Sequence, residues 1–237
     1  MGVIIRRPYC TDSHADYFVR NLTVCKGDSV ASSHGVLSQP VRIDAFEPDE
    51  PITLEQAKDH IRYTHYDEDN LVQQWIRAAF RKIERDTGVI AMTSEWRIPV
   101  DEFPIFRQFM QLPLWPVQSA DRVAYYDTDG NLVELSAGSP GAGFILDGTS
   151  RPPRLALEAI DDDWPTSLRE FQPGIVEVTA GFASADLYPD DLRQAAYLLI
   201  ANAALYREPA VAGPGVAVTS IPIGYEQWIE RWVLPVV

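Results

Sequence analysis

The sequence predicts an α+β fold: a small helical bundle of two long helices plus short flanking helices, an antiparallel β insertion between them, and an extended C-terminal docking segment. Three observations lead there. Apolar residues recur at three- and four-residue steps over 67–88 and again over 189–206, the spacing of helices with a face in a core. From Ser94 to about Phe182 the period falls to two, as half-buried strands require. Eighteen prolines against fourteen glycines in 237 residues punctuate the chain into many short elements, so helices occupy only part of it. The resulting division is 1–50 as an N-terminal extension, 51–93 and 183–209 as the helical bundle, 94–182 as the β insertion, and 210–237 as a docking tail with a short helix.

Residues 1–50 have weak periodicity and close on Glu47-Pro-Asp-Glu-Pro51, a charged, proline-punctuated linker. They are expected to wrap over the body or over a neighbour. Thr53-Leu-Glu-Gln56 is a capping-box pattern that starts a short helix running to about Tyr63. Asp67 is the expected N-cap of the first long helix, with Glu68 and Asp69 at the positive end of its dipole and Gly88 as its stop. Leu71, Trp75, Ile76, Ala79, Phe80, Ile83 and Thr87 form its apolar face, opposite a polar face that carries Arg77, Arg81 and Arg85.

Alternation marks the β region, as in Trp96/Ile98/Val100, Val123/Tyr125 and Val176/Val178, with turn chemistry at Asp127-Thr-Asp-Gly130 and at Gly138 through Gly143. Five prolines from Pro113 to Pro153 keep its strands short. The stretch Glu158–Pro173 is expected at the rim. The second long helix opens at Pro189-Asp-Asp191 and ends at Arg207-Glu-Pro209. One stripe holds Leu192, Ala195, Ala196, Leu199, Ala203 and Tyr206; a second holds Tyr197, Leu198, Ile200, Ala201, Ala204 and Leu205. A helix apolar almost all round should be covered twice, by its own domain and by another chain. Ala210–Gly224 lacks charge and suits an extended docked segment. In the closing Tyr225–Val233, Tyr225, Trp228, Ile229 and Trp232 share a helical face, and such aromatics need a pocket. That pocket lies either in a partner, where they act as docking anchors, or in the chain's own core.

A net charge of −14 argues against a protein that grips phosphates, since affinity for nucleic acid comes mainly from Lys and Arg. Residues 151–192 concentrate the acid, with nine Asp or Glu against three Arg, and are expected to face solvent or an aqueous channel. The longest apolar run, Ala195–Tyr206, is too short for a bilayer, which needs about 20 residues. The charges at Arg6-Arg7 follow a very short apolar patch, the reverse of a secretory signal, so cytoplasmic synthesis is expected.

Catalytic and metal patterns are weak. Cys10 and Cys25, the only cysteines, lack zinc-site spacing, although a disulfide stays open. The four histidines make no His-x-x-x-His pair, and His65 beside Asp67 and Asp69 is explained by helix capping. Asp161-Asp162-Asp163 with Glu158 fits a solvated loop better than a calcium loop, lacking the ordered glycine and terminal Glu. Gly138-Ser-Pro-Gly-Ala-Gly143 has no Lys for a phosphate loop and reads as a turn. Arg77, Arg81, Lys82 and Arg85 form a basic strip, in an acidic chain better suited to a partner subunit or solvent than to DNA. No cofactor or metal is expected. The alternative from another class, a small metal-dependent hydrolase, rests on Asp161–Asp163 alone.

The order of parts resembles the head–tail connector (adaptor) proteins of tailed bacteriophages. The resemblance is carried over roughly residues 50–237 by Ile52-Thr-Leu-Glu-Gln-Ala-Lys58, the acidic break His65-Tyr-Asp-Glu-Asp69 and a helix closing on Glu84-Arg-Asp-Thr-Gly88. Trp96, Leu112-Pro-Leu-Trp-Pro-Val117, Val123-Ala-Tyr-Tyr-Asp-Thr-Asp-Gly130, Val178-Thr-Ala-Gly-Phe182 and Pro189-Asp-Asp-Leu-Arg193 follow in family order. It implies a non-enzymatic virion protein: a subunit of a twelve-copy ring beneath the portal, joining the DNA-filled head to a stopper or tail protein. DNA would pass without sequence-specific binding, and no membrane is involved. Tyr225, Trp228, Ile229 and Trp232 are then the expected portal- or subunit-docking residues. Tyr197, Leu198, Ile200, Leu205, Arg77, Arg81 and Arg85 are the expected subunit interface. A stopper or tail-completion protein of the same neck is the nearest alternative.

Overall fold

In the computed structural model the described residues are 36–44, 50–64, 66–104, 109–135, 143–158, 163–205 and 224–234. Thr53 caps α1 (Leu54–Ile61): its hydroxyl accepts the Gln56 N–H at 3.2 Å, and the Gln56 side chain accepts the Thr53 N–H at 3.0 Å. Both donors would otherwise be orphaned at the helix start. Thr53→Ala should therefore lower stability by about 1 kcal/mol, read as a shift of the urea midpoint. An unchanged midpoint would mean that solvent serves these donors equally well.

Helix α2 (Asp69–Thr87) begins one residue later than the expected cap at Asp67 implies. Its N-cap is Glu68, with no side-chain capping bond, because the nearby acids are used across elements: Asp69 pairs with Lys58 of α1, and Glu68 accepts from the Tyr63 hydroxyl. Gly88 stops the helix at φ +75°, its N–H bonded to the Glu84 carbonyl at 2.8 Å. Val72, Ile76, Ala79, Phe80, Ile83 and Thr87 are buried, the face the periodicity marks.

Helix α3 (Asp190–Leu205) explains its own composition. It packs against α1, α2 and α4 (Tyr225–Ile229), all of the same chain. Leu192, Ala195, Ala196 and Ile200 are buried, while Tyr197 stacks on His60 of α1 with ring centroids 4.6 Å apart. The apolar girdle thus has three intrachain covers, while Tyr197, Leu198 and Leu199 stay half-buried and Leu205 is exposed. Among the described residues no helix is long and apolar enough to cross a membrane.

Two short strands precede α1, namely β1 (Val36–Leu37) and β2 (Val41–Arg42). Between α2 and α3 the described strands are β3 (Ser94–Glu102), β4 (Met110–Gln111), β5 (Val117–Tyr126), β6 (Leu132–Leu135), β7 (Phe144–Asp147), β8 (Arg154–Leu157) and β9 (Gly174–Ala180). A six-stranded antiparallel sheet has the order β1-β3-β9-β5-β6, with β2 also on β3; β4-β8-β7 form a smaller sheet. In β9 every second residue is buried, so Val176, Val178 and Ala180 meet Ile98 and Val100 in a second core, while Glu177 points outward. There Arg97, Glu177, Arg122 and Glu134 form an alternating charge ladder across four strands, with Arg97 Nη2 2.7 Å from Glu177. Exposed pairs of this kind contribute little each, but they keep the outer sheet face polar.

Two sequence expectations become specific here. Residues 36–44, expected to wrap over the body or a neighbour, lie on the body as two short strands that extend the sheet, with Ser38 and Ile43 N–H groups bonded to Pro99 and Glu95 carbonyls at 2.9 Å. Residues 1–35 lie outside the described set. The stretch after Glu158 is not simply a rim: Trp164 is buried and stacks on Phe103 at 5.4 Å.

Candidate functional site

The C-terminal residues expected to dock on a partner are mostly packed inside this chain. Tyr225, Ile229 and Trp232 join the helical core, whereas Trp228 is 41% exposed. Tyr225 donates its hydroxyl to Asp86 at 2.9 Å, and Lys82 stands over its ring. Burial, then this bond, pushes the phenol well above its ordinary value. Trp232 lies beside Trp115 at 5.9 Å, and the Arg151 guanidinium sits 4.9 Å and 4.8 Å from those two rings. Asp191, at the start of α3, accepts from Arg231 Nε at 3.0 Å. The Leu234 N–H then bonds to the Thr87 carbonyl at 2.9 Å. The segment therefore clasps the helical core to the β region.

The physical reason is angular. Tyr225, Ile229 and Trp232 fall at i, i+4 and i+7 and face inward together. Trp228 stands one residue, about 100°, from Ile229 and reaches the margin. Within this chain Tyr225, Ile229 and Trp232 are thus packed inward, and Trp228 is the member of the docking set left accessible, with Val233 47% exposed nearby in sequence. Of the expected docking segment, residues 210–223 lie outside the described set.

The expected subunit interface divides in the same way. Ile200 is fully buried in the chain's own helical core. Tyr197 and Leu198 are half-buried; Leu205, at the end of α3, is 74% exposed. On α2, Arg81 and Arg85 are exposed and Arg77 half-buried, with Arg85 Nε 3.6 Å from Asp86. Leu205, Trp228, Arg81 and Arg85 are thus the members of both sets that solvent reaches most freely.

Two features had no sequence signal. Arg151 carries nothing local that links it to Trp115 or Trp232. Arg77 and Arg81 share a polar pocket with Arg42, Glu50 and Glu84, which come from three separate stretches. Of the candidate acid site, Asp161 and Asp162 lie outside the described residues and Asp163 is exposed. His65, Cys10, Cys25 and residues 138–142 of the glycine-rich turn also lie outside them. Among the described residues no three His, Cys, Asp or Glu side chains stand together as a metal-holding group.

No known family's model matches the chain, and no curated protein matches it. Solved structures do. One is a chain from the neck of an empty gene transfer agent (GTA) particle computed with C6 symmetry, at 24% identity and TM-score 0.65. Another, from the virion of a native GTA particle, has 25% identity and TM-score 0.60; a third, from the neck of a native GTA particle computed with C12 symmetry, has 24% and 0.59. Each likeness covers 84% of this chain and 97% of the other. The fold of this chain is accordingly one found in the neck of gene transfer agent particles.

Proposed function

We propose that this chain is a structural neck protein of a phage-like particle and, more specifically, a head–tail connector (adaptor) subunit. In that role copies of the chain form a ring under the portal that joins the capsid to the next neck ring or tail protein and lets DNA pass. The observation that carries the reading is the fold likeness, which takes in nearly the whole of chains from particle necks. Those necks were computed with sixfold and twelvefold symmetry, which supports a ring, and a twelve-copy ring in particular. The order of sequence motifs points the same way.

The physical surface is compatible. A ring needs two unlike faces on each subunit, since a head-to-tail interface closes by rotation. The exposed Leu205, Trp228 and Arg81/Arg85 supply apolar anchors and charge for such contacts. A net charge of −14 suits a bore through which DNA slides without being held. The role is structural, with no bound cofactor and no chemical step.

The test is imaging of the full chain mixed with the portal of its own particle. A closed ring of about twelve subunits seated on the portal is the expected result. A chain that stays monomeric with the portal present, or that is found in the tail tube, would reject the proposal. A ring one level further from the portal would identify the stopper instead.

A further inference from the structure

Charged groups from three stretches meet in one partly buried pocket, of which Arg81 alone also belongs to the surface proposed above for assembly. Arg42 enters from β2, Glu50 from the approach to α1, and Arg77, Arg81 and Glu84 from α2. The Arg42 guanidinium lies 5.0 Å from the Trp96 ring centre, donates to Ser94 Oγ at 2.8 Å, and stands 3.8 Å from Glu84 and 3.6 Å from Asp44. Glu84 in turn accepts the Ala91 N–H at 3.0 Å. Arg42 therefore joins the outermost strand of the sheet to the longest helix.

We propose that Glu50 and Glu84 act as a proton-operated latch that ties the β1–β2 stretch to helix α2 through Arg42, closed while Glu50 holds a proton and Glu84 keeps its charge toward Arg42, and loosened when both carboxylates are charged. Two carboxylates sharing a desolvated pocket resist double ionisation. Burial is the main force that pushes Glu50 up to about 7 from its ordinary 4.5; Glu84 adds to it, while Arg42, Arg77 and Arg81 oppose it. Glu84 is raised too, by burial, against the Ala91 N–H and the charges of Arg42 and Arg81. Among the described residues, the groups around the pair are thus Arg42 from β2 with Asp44 just after it, Arg77 and Arg81 from α2, and the Tyr188 hydroxyl from before α3. That hydroxyl is buried, has no hydrogen-bond partner among the described residues, and is raised by burial and then by Glu84.

The direction follows from linkage. A group whose closed-state value is raised stabilises the closed state fully below its open-state value, and that stability is lost as pH rises through the closed-state value. For Glu50 the window runs from about 4.5 to about 7. The proposal stands on this pocket alone and does not depend on the ring.

Amide hydrogen exchange on the full chain tests it, with rates corrected for their intrinsic pH dependence. The Ser38 and Ile43 N–H groups are the reporters and the central strand β9 is the reference. Protection of the reporters relative to β9 should fall by up to about tenfold per pH unit between pH 5 and 7, then level off. Glu50→Gln should abolish that slope and hold protection at its acid level, and Glu84→Gln should flatten it. A flat wild-type profile overturns the latch without any variant, and so does a Glu50→Gln profile that keeps the full slope.

Discussion

Trp232→Ala is expected to destabilise the chain by about 3–5 kcal/mol, whereas Trp228→Ala, four residues away, should stay within about 1 kcal/mol. Both are tryptophans on the same short C-terminal helical stretch, and the urea midpoint separates them. Trp232 is 9% exposed and packs against both Trp115 and Arg151, with its indole N–H 3.4 Å from Asp191. Truncation opens a cavity where the helical core meets the β region, and Arg151 loses one of its two aromatic faces. Trp228 spends 41% of its surface in solvent, so its loss removes little packing. Its effect should appear in association: aromatic side chains left at a surface are the usual anchors of an interface. A Trp228 variant with unchanged stability but weakened self-association or portal binding would fit the proposed role. Equal destabilisation by the two substitutions would contradict the packing described for the tail.

Local devices were readable because their partners sit within one or two turns. The Thr53–Gln56 box, the Gly88 stop and the inward stripe of α2 all follow from residues three or four apart. The alternation of Gly174–Ala180 likewise reported a strand with one face in a core. What stayed hidden depends on contacts between distant stretches. The girdle of α3 has a clear composition, but nothing in it says whether the cover comes from α1, α2 and α4 or from another chain. Tyr225, Ile229 and Trp232 posed the same ambiguity, since a buried aromatic looks alike in its own core and in a neighbour's. Residues 36–44 carry too few positions to show a period. Their strands exist because β3 offers an open edge and because Arg42 can reach Ser94, Trp96 and Glu84 at once. Leu205, Trp228, Arg81 and Arg85 are the expected contact residues that stay accessible, whereas burial that depends on topology could not be read from the sequence.

Gly181→Ala should cost more than about 3 kcal/mol, a large share of the roughly 5–15 kcal/mol that holds an ordinary domain folded. Gly181 follows β9 with φ +118°, a conformation that side chains rarely adopt. A methyl group there would stand 2.2 Å from the Met92 carbonyl oxygen and 2.7 Å from the Thr93 nitrogen, both backbone atoms that cannot swing aside. The position is crowded because three strand ends meet at it. The Gly181 N–H bonds to the Pro116 carbonyl at 2.8 Å, its carbonyl accepts from Gln118 at 2.7 Å, and the Thr93 N–H reaches the Phe182 carbonyl at 3.0 Å. Phe182 then packs edge-on to Trp115 and Tyr188, carrying the chain from the sheet into the helical core. Gly130→Ala is the control: it too has positive φ, at +84°, but nothing lies within 4 Å of the added carbon, so only backbone strain of about 1–2 kcal/mol is expected. Guanidinium unfolding of the two variants reads the difference. If Gly181→Ala were no worse than Gly130→Ala, the close approach of β9 to the Met92–Thr93 peptide would have to be softer than its geometry implies, and the junction could not be what holds the β insertion in place.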